Sequence, residues 1–146
     1  MKIALLNGPN LNLLGLREPG IYGNETLQDV ENMLKKKISD SGADLELVCY
    51  QSNSEGNLID FIQQSKSNGI EYIIFNPGAY THTSIALHDA IAGVQAKVIE
   101  VHISNIHKRE EYRRNSYISP VAVGQIVGFG TAGYVMALDY ILNSEL

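Results

Sequence analysis

The sequence predicts an α/β fold, a doubly wound sandwich built on a five-stranded parallel sheet. Three observations lead to this expectation. The 146 residues are enough for one domain with one core. Five short apolar runs alternate with segments in which apolar residues recur at helical spacing. The runs are mostly apolar instead of alternating with polar residues, which is typical of parallel strands covered on both faces.

Five runs have the length and composition of strands. They are Ile3–Leu6, Leu45–Tyr50, Tyr72–Phe75, Val98–Val101 and about Val121–Val127. The first predicted helix follows the first strand: Thr26 three residues before Asp29 predicts its N-cap, and Gly42 predicts its end. The face that a 3.6-residue period predicts to be buried consists of Leu27, Val30, Met33, Leu34, Lys37 and Ile38.

Three further helices complete the predicted sandwich. They are expected at about Glu55–Ser67, with Gly69 as the stop, at about Thr83–Ala92 and at about Thr131–Asn143. The charged segment His107–Arg114 is interpreted as a solvated helix face.

Composition excludes several classes of protein. A net charge of −5 gives no basic footprint for nucleic acid or an acidic membrane. No apolar run approaches the roughly 20 residues of a membrane span, and the first apolar segment is too short for a signal peptide. The single cysteine, Cys49, lies in an apolar run, which favours a reduced compartment and a packed thiol over a catalytic one. We therefore expect one cytoplasmic domain, residues 1–146, that binds neither nucleic acid nor membrane.

The loops that follow parallel strands open at one edge of the sheet, where α/β enzymes bind their ligands. The loop after the first strand, about residues 8–24, carries Asn10, Arg17 and Tyr22 among glycines and prolines. This pattern predicts a mobile lid that brings a cation and a phenol to a substrate. Residues 76–84 and 102–113 follow the third and fourth strands. We expect these three segments to form one pocket.

Tyr22 is a candidate base. A tyrosine is largely anionic near neutral pH only if its pKa falls by about three units from about 10, which corresponds to about 4 kcal/mol. The guanidinium groups of Arg17 and Arg113 in a desolvated pocket are candidates to supply that stabilisation. The sequence has eight tyrosines, and spacing alone does not distinguish a base at Tyr22 from a loop anchor.

His102 is a candidate acid, because it directly follows a predicted strand and an imidazole transfers protons near neutral pH. Glu100 and Ser104 lie two residues to either side, so the three side chains share one side of an extended backbone. The Glu100 carboxylate would then orient or charge the ring. The alternative is a histidine whose ring is satisfied by backbone groups.

Neutral polar groups complete the candidate set. Asn10, Asn12 and Asn76 suit a polyhydroxylated ligand or a bound water, but turn-forming asparagines before proline are equally common. In Asn7-Gly8-Pro9-Asn10 and Asn76-Pro77-Gly78, the local sequence favours turn geometry for the first asparagine of each. The segment His82-Thr83-Ser84 offers backbone N–H groups and hydroxyls to a carboxylate, and helix capping explains Thr83 or Ser84 equally well.

Other kinds of site fit less well. Gly128–Gly133 matches a dinucleotide fingerprint, but Leu146 follows too soon for the further strand and acidic residue that such a site needs, so close helix–strand packing is favoured. The four histidines show neither the i, i+4 spacing nor the cysteine partners of a zinc site. Asn7 and Asn76 stand where a response regulator needs acids, and Gly8-Pro9-Asn10 is not a flavin phosphate loop. A structural or binding protein without catalytic activity remains an alternative interpretation of the sequence.

Long motifs give this chain a family resemblance. From Asn7 to Gly23, from Asn76 to Ser84, and from Glu100 to Ser104 with Arg109 and Arg113 following, it resembles type II 3-dehydroquinate dehydratase. The segments 51–56 and 58–60 agree as well. The resemblance covers nearly the whole chain.

The resemblance implies a flavodoxin-like fold and a homododecamer built from trimers, with no metal and no organic cofactor. It implies a lyase, more narrowly a hydro-lyase, that converts 3-dehydroquinate to 3-dehydroshikimate by anti elimination through an enolate. This is a step of the shikimate pathway toward chorismate and the aromatic amino acids.

The resemblance also implies roles for single residues. Tyr22 removes the proton next to the ketone, Arg17 lowers the pKa of that tyrosine, and His102 protonates the leaving hydroxyl. Asn10 holds the water that stabilises the enolate, and Glu100 orients His102. The residues implied to bind substrate hydroxyls are Asn76, His82 and Arg113, and those implied to bind the carboxylate are Ile103 and Ser104.

Two further positions concern assembly and one concerns an alternative chemistry. By the resemblance, Asp89 reaches the active site of a neighbouring subunit. Ser54 stands where the family often has histidine, a departure that puts no catalytic step in doubt and concerns contacts between subunits. Schiff-base chemistry would need a buried lysine at a strand end, whereas Lys97 begins a strand.

Overall fold

The computed structural model describes residues 1–16 and 24–144. Its five strands are β1 (Lys2–Asn7), β2 (Glu46–Gln51), β3 (Ile70–Asn76), β4 (Val98–His102) and β5 (Gly124–Val127). The α-helices of the described residues are α1 (Leu27–Ser41), α2 (Glu55–Gln64), α3 (Ile85–Val94) and α4 (Ala132–Ser144). All four strand pairs are parallel, and the order is β2-β1-β3-β4-β5. This is the flavodoxin-like order, so the predicted α/β fold is confirmed.

Helices cover both faces of the sheet, because successive strand side chains point to opposite faces. In β1, Ile3 and Leu5 belong to the core layer that α1 and α4 cover, and Ala4 and Leu6 belong to the layer that α2 and α3 cover. These four side chains of β1 are all fully buried. Burial on both faces explains why this strand is apolar along its length.

Helix α1 begins and ends where the sequence predicts. Thr26 Oγ1 accepts a hydrogen bond from the Asp29 N–H at 3.1 Å, and the Asp29 carboxylate accepts one from the Thr26 N–H at 3.0 Å. This reciprocal pair is a capping box. Gly42 ends the helix in the left-handed conformation, with φ 72°. The buried face contains Val30, Leu34 and Ile38. Lys37 instead pairs with Asp139 at 3.0 Å.

Helices α2 and α3 differ from their predicted bounds. Helix α2 ends at Gln64, before the predicted Ser67, and Ser65 at its C-cap donates its hydroxyl to the Ile62 carbonyl at 2.7 Å. Helix α3 begins at Ile85, after the predicted Thr83, because Ser84 is the N-cap and its hydroxyl accepts from the Leu87 N–H at 2.9 Å.

Two segments predicted as longer elements are short 3-10 turns. Strand β5 starts at Gly124 and not near Val121, because Pro120 in the turn Ser119–Val121 has no N–H for a strand ladder. The charged segment predicted as a helix face forms the turns Ile106–Lys108 and Glu111–Arg113, which extended backbone at residues 109 and 110 separates. The prediction of a helix there is wrong.

The carboxyl ends of β1 and β3 meet where the strand order reverses, the usual ligand position in such sheets. The Gly8 N–H donates to the Asn76 carbonyl at 2.8 Å. A Cβ atom on Gly8 would lie 2.4 Å from the Pro77 carbonyl oxygen, so only glycine permits this approach. The loops after β1 and β3 are therefore packed directly together. Across the described ranges, none of the helices has the length and apolar character that crossing a membrane requires.

Candidate active site

A cleft at the carboxyl edge of the sheet brings together residues from the loops after β1, β3 and β4. The predicted site residues that line it are Asn10, Asn76, His82, His102, Ile103, Ser104 and Arg113. The sequence expectation that these loops form one pocket is therefore confirmed for the residues that the structure describes.

The lining of this cleft does not include the other predicted site residues that the structure describes, Glu100 and Asp89. Arg17 and Tyr22, with residues 17–23 of the predicted lid, lie outside the described residues. Glu100 is fully buried behind His102. Asp89, on α3, does not line the cleft; its side chain is 71% exposed and lies 3.0 Å from His88 Nδ1.

Glu100 and His102 form a buried pair at the end of β4. Glu100 Oε2 lies 2.5 Å from His102 Nε2, and the two side chains are 0% and 5% exposed. Burial alone would raise the pKa of the Glu100 carboxyl, but the hydrogen bond and charge of His102, with hydroxyl donors from Thr81 and Ser116, hold it below its ordinary value. Because a carboxylate only accepts, His102 Nε2 carries a proton and Nδ1 is left for a ligand in the cleft.

His82 stands beside His102 with a different arrangement of protons. The two rings are 6.2 Å apart at an angle of 23°. His82 Nδ1 lies 2.8 Å from the Asn115 carbonyl oxygen, which only accepts, so Nδ1 donates. Burial, with the charges of His102 and Arg113, lowers the pKa of His82 against the raising effect of the Asn115 carbonyl and Glu100. The ring is therefore neutral near pH 7, and its Nε2 is an acceptor.

A buried chain of hydrogen bonds fixes Asn76. Strand register places it beside Asn7. Its Nδ2 donates to Tyr134 Oη at 2.9 Å, and Tyr134 Oη donates to Asn7 Oδ1 at 2.6 Å. Its Oδ1 accepts from the Gly78 N–H at 3.0 Å, the turn role that the sequence predicts. Burial raises the pKa of Tyr134, so this phenol keeps its proton. The second Nδ2 hydrogen of Asn76 remains for a ligand.

Asn10 is held in an uncommon backbone conformation by the loop after β2. Its φ is 69°, in the left-handed region that asparagine tolerates better than most residues. The Asn10 N–H donates to Asn53 Oδ1 at 3.0 Å. Gln51 Nε2 also donates to Asn53 Oδ1 and to the Gly8 carbonyl, each at 3.1 Å. Asn12, the other candidate in this loop, is exposed and does not line the cleft.

Among the described residues, two arginines line the cleft and give it positive charge. Arg113 Nε donates to Glu110 Oε2 at 2.7 Å, and Arg109 Nη1 lies 3.4 Å from Ser104 Oγ. Both guanidinium groups line the cleft. Arg109 was predicted only as part of a motif, because the charged segment was interpreted as a solvated helix face. Its spacing of four residues from Arg113 was the available signal.

The glycine-rich fingerprint packs against the structure around the site. The N–H groups of Gly128 and Gly130 donate to the carbonyls of His102 and Ile103 at 3.1 and 3.0 Å. A Cβ atom on Gly133 would lie 3.2 Å from Val101 Cγ1, so glycine lets α4 approach β4 closely. The interpretation as helix–strand packing is confirmed.

Other predicted features have ordinary structural roles. Ser54 caps α2, where its hydroxyl accepts from the Asn57 N–H at 3.2 Å. Cys49 is half-buried, and burial raises the pKa of its thiol to about 11, so it is protonated at neutral pH. Within 1–16 and 24–144, histidine, cysteine and acidic side chains form no group of three that could hold a metal ion.

Comparisons with known proteins agree with one another. The model of a family described as dehydroquinase class II matches residues 1–142. 3-Dehydroquinate dehydratase 1 of Ralstonia nicotianae is 55% identical over 143 residues, which cover 98% of this chain and 90% of that protein. A catabolic 3-dehydroquinase of Debaryomyces hansenii is 49% identical over 142 residues, with 97% of each covered. The crystal structure of a type II dehydroquinase from Butyrivibrio crossotus is similar with a TM-score of 0.91 at 52% identity, and 96% of each chain is covered.

Glu100 should make the stability of this protein depend on acid pH. Because its folded pKa lies below the unfolded value of about 4.3, it stabilises the fold above that value, and the stabilisation is lost as pH falls through the folded pKa. We expect the free energy of unfolding, measured with urea between pH 6 and pH 3, to fall less steeply in Glu100→Gln than in the unsubstituted protein. Glu71→Gln, at an exposed position, is the matched control. Equal slopes for all three proteins would contradict this assignment.

Proposed function

Because this chain belongs to the class II dehydroquinase family, we propose that its cleft performs an anti elimination through an enolate, with the residue roles set out below. The chain is a type II 3-dehydroquinate dehydratase, a lyase of the shikimate pathway whose substrate is 3-dehydroquinate. The observation that supports the mechanism is the buried Glu100–His102 pair, which leaves one imidazole nitrogen at the cleft.

The reaction needs three chemical groups. A hydrogen on the carbon next to a ketone is a weak acid, so a strong base must remove it, donors must stabilise the developing oxyanion, and an acid must protonate the leaving hydroxyl. Tyr22 is proposed as the base, with the Arg17 guanidinium stabilising its phenolate. A water held by Asn10 donates to the enolate oxygen.

His102 completes the elimination. The electron pair of the broken C–H bond first resides on the enolate oxygen. When the ketone re-forms, that pair makes the new carbon–carbon double bond, and the carbon–oxygen bond of the hydroxyl breaks. Protonated Nδ1 of His102 donates its proton to the departing oxygen, so that water leaves. Glu100 orients the ring through Nε2 and balances the positive charge of the protonated form.

Substrate recognition uses groups that face the same cleft. The neutral His82 Nε2 accepts a hydrogen bond from a substrate hydroxyl, and Asn76 Nδ2 and the Arg113 guanidinium donate to substrate oxygens. Ile103 and Ser104 hold the carboxylate, and Arg109 beside Ser104 supplies a positive charge close to it.

Assembly and location belong to the same proposal. The chains form a homododecamer built from trimers in the cytoplasm, and Asp89 reaches the site of a neighbouring subunit. Its 71% exposed side chain, away from the cleft of its own chain, supports that role. The chemistry proposed above uses only side chains and water.

The first experiment is a turnover assay that separates this mechanism from metal or Schiff-base chemistry. We expect the purified, chelator-treated protein to convert 3-dehydroquinate to an enone that absorbs in the ultraviolet, and to keep this activity after incubation with substrate and borohydride together, which would trap an imine on a lysine. A substrate stereospecifically deuterated at the carbon next to the ketone should lose the deuterium anti to the leaving hydroxyl. Loss of the syn deuterium, or inactivation by either treatment, would contradict the mechanism.

Tyr22→Phe should abolish turnover and leave substrate binding largely intact, because only the basic oxygen is lost. The measurements are kcat by enone absorbance and substrate affinity by calorimetry. Tyr140→Phe is the matched control, since Tyr140 lies near Gly124 at the opposite edge of the sheet. Retention of more than a few per cent of kcat in Tyr22→Phe would exclude Tyr22 as the base.

His102→Ala should likewise abolish elimination, since no other group would protonate the leaving oxygen. The expected result is a loss of kcat of about 10²-fold or more, the usual contribution of a general acid. His107→Ala, at an exposed position that does not line the cleft, is the control. If His102→Ala raised KM and left kcat unchanged, the acid would have to be another group.

A further inference from the structure

We propose that the hydroxyls of Thr81 and Ser116 are positioning groups that hold the Glu100 carboxylate, and through it the His102 ring, in the orientation that protonates the leaving oxygen. This inference rests on the proposed function in one respect, namely that His102 is the proton donor. Neither residue lines the cleft, so both act through Glu100.

The two hydroxyls both contact the Glu100 carboxylate, which hydrogen-bonds to His102. Thr81 Oγ1 donates to Glu100 Oε2 at 2.7 Å, and this is the oxygen that lies 2.5 Å from His102 Nε2. Ser116 Oγ lies 2.9 Å from Oε2 and 3.0 Å from Oε1. Glu100 and Thr81 are both fully buried. An ionised carboxylate in such a place requires several donors, and these two hydroxyls supply them beside the imidazole.

Ser116 is fixed as a donor by its own neighbours. Its Oγ accepts from the backbone N–H groups of Ile118 at 3.1 Å and Ser119 at 3.0 Å. A hydroxyl has one hydrogen and two acceptor lone pairs, so the hydrogen is left for Glu100. The Ser116 hydroxyl is therefore oriented before any substrate binds.

The segments that carry the two hydroxyls are also joined to each other. The Tyr117 N–H donates to the Thr81 carbonyl at 2.8 Å. Their neighbours in sequence are joined as well: His82, which follows Thr81, donates from Nδ1 to the carbonyl of Asn115, which precedes Ser116, at 2.8 Å. These contacts do not involve Glu100, so the two donors sit on a frame that would persist if the carboxylate were removed.

Such a frame matters because proton transfer is sensitive to geometry. A carboxylate held only by His102 could rotate about its last side-chain torsion and turn the imidazole with it, and a misplacement of about 1 Å costs about 10²-fold in rate. The ionisable groups that face the pair are His82, Arg109 and Arg113, and no acidic side chain of the described residues lines the cleft. The hydroxyls are thus the neutral donors that keep Glu100 ionised and aligned.

The test uses Thr81→Val, Ser116→Ala and the double variant, which remove hydroxyls with little change of shape. We expect kcat to fall by about tenfold in each single variant and by about 10²-fold in the double variant, as lost alignment predicts. KM should change by less than about threefold, since neither residue touches substrate. The acid limb of the kcat profile should move to higher pH, because a carboxyl that loses donors is protonated more easily. Thr81→Ser keeps the hydroxyl and should restore most of kcat.

A matched control and a readout without turnover make the test decisive. Ser65→Ala removes a 99% buried hydroxyl at the end of α2, far from Glu100, and should leave kcat and the pH profile unchanged. Nitrogen-15 NMR of His102 should show the Nε2–H form in the unsubstituted protein and a shifted Nε2–H signal in the double variant.

Two results would overturn the inference. One is an unchanged Nε2–H signal in a folded double variant, which counts whether or not the protein turns over. The other is a double variant with normal kcat and an unmoved acid limb. If the unsubstituted protein itself had no dehydratase activity, the proposed function would fail while the NMR comparison still decided the role of the two hydroxyls.

Discussion

A fully buried carboxylate at the end of β4 is the constraint around which the carboxyl edge of this sheet is arranged. Glu100 pairs in register with Phe75 on one side and Gln125 on the other, and its own side chain is fully buried. A buried charge that loses its partner costs about 3–5 kcal/mol. His102, Thr81 and Ser116, from three segments of the chain, offset this cost in the folded state. The interaction that the proposed chemistry needs therefore also stabilises the fold.

Helix α4 fixes the position of residues at the carboxyl ends of β1 and β3. Tyr134 lies in the first turn of α4 and connects Asn7 at the end of β1 with Asn76 at the end of β3. Gly133, immediately before it, lets the helix approach β4 closely enough for that contact. The glycine pattern that resembles a nucleotide fingerprint thus serves the packing of α4, and the packing fixes an amide that faces the cleft.

The elements that the sequence predicted correctly are those that depend on residues close to one another in sequence. The strands and α1 were predictable because apolar periodicity and a capping box depend on residues near in sequence. Residues at strand ends, such as His102 and Asn76, were predictable as site residues because parallel strands open at one edge. The charged segment was assigned wrongly, since its two short turns depend on Ile106, which packs into the interior, and on extended backbone at Arg109 and Glu110. The roles of Thr81, Ser116 and Tyr134 had no local signal, because their partners lie 19, 16 and up to 127 residues away.

The two imidazoles in the cleft have opposite hydrogen-bonding roles because their buried partners differ. His82 meets a carbonyl through Nδ1, so the nitrogen it has left accepts. His102 meets a carboxylate through Nε2, and that negative charge balances a second proton on Nδ1, so His102 is equipped to donate. A substrate with several hydroxyls offers both kinds of partner. In the proposed mechanism the hydroxyl beside His82 is held as a donor and receives no proton, whereas the one beside His102 is protonated and leaves. In the proposed elimination the leaving hydroxyl is the one on the carbon next to the deprotonated carbon, and two acceptors that do not line the cleft, the Asn115 carbonyl and the Glu100 carboxylate, decide which imidazole accepts and which donates.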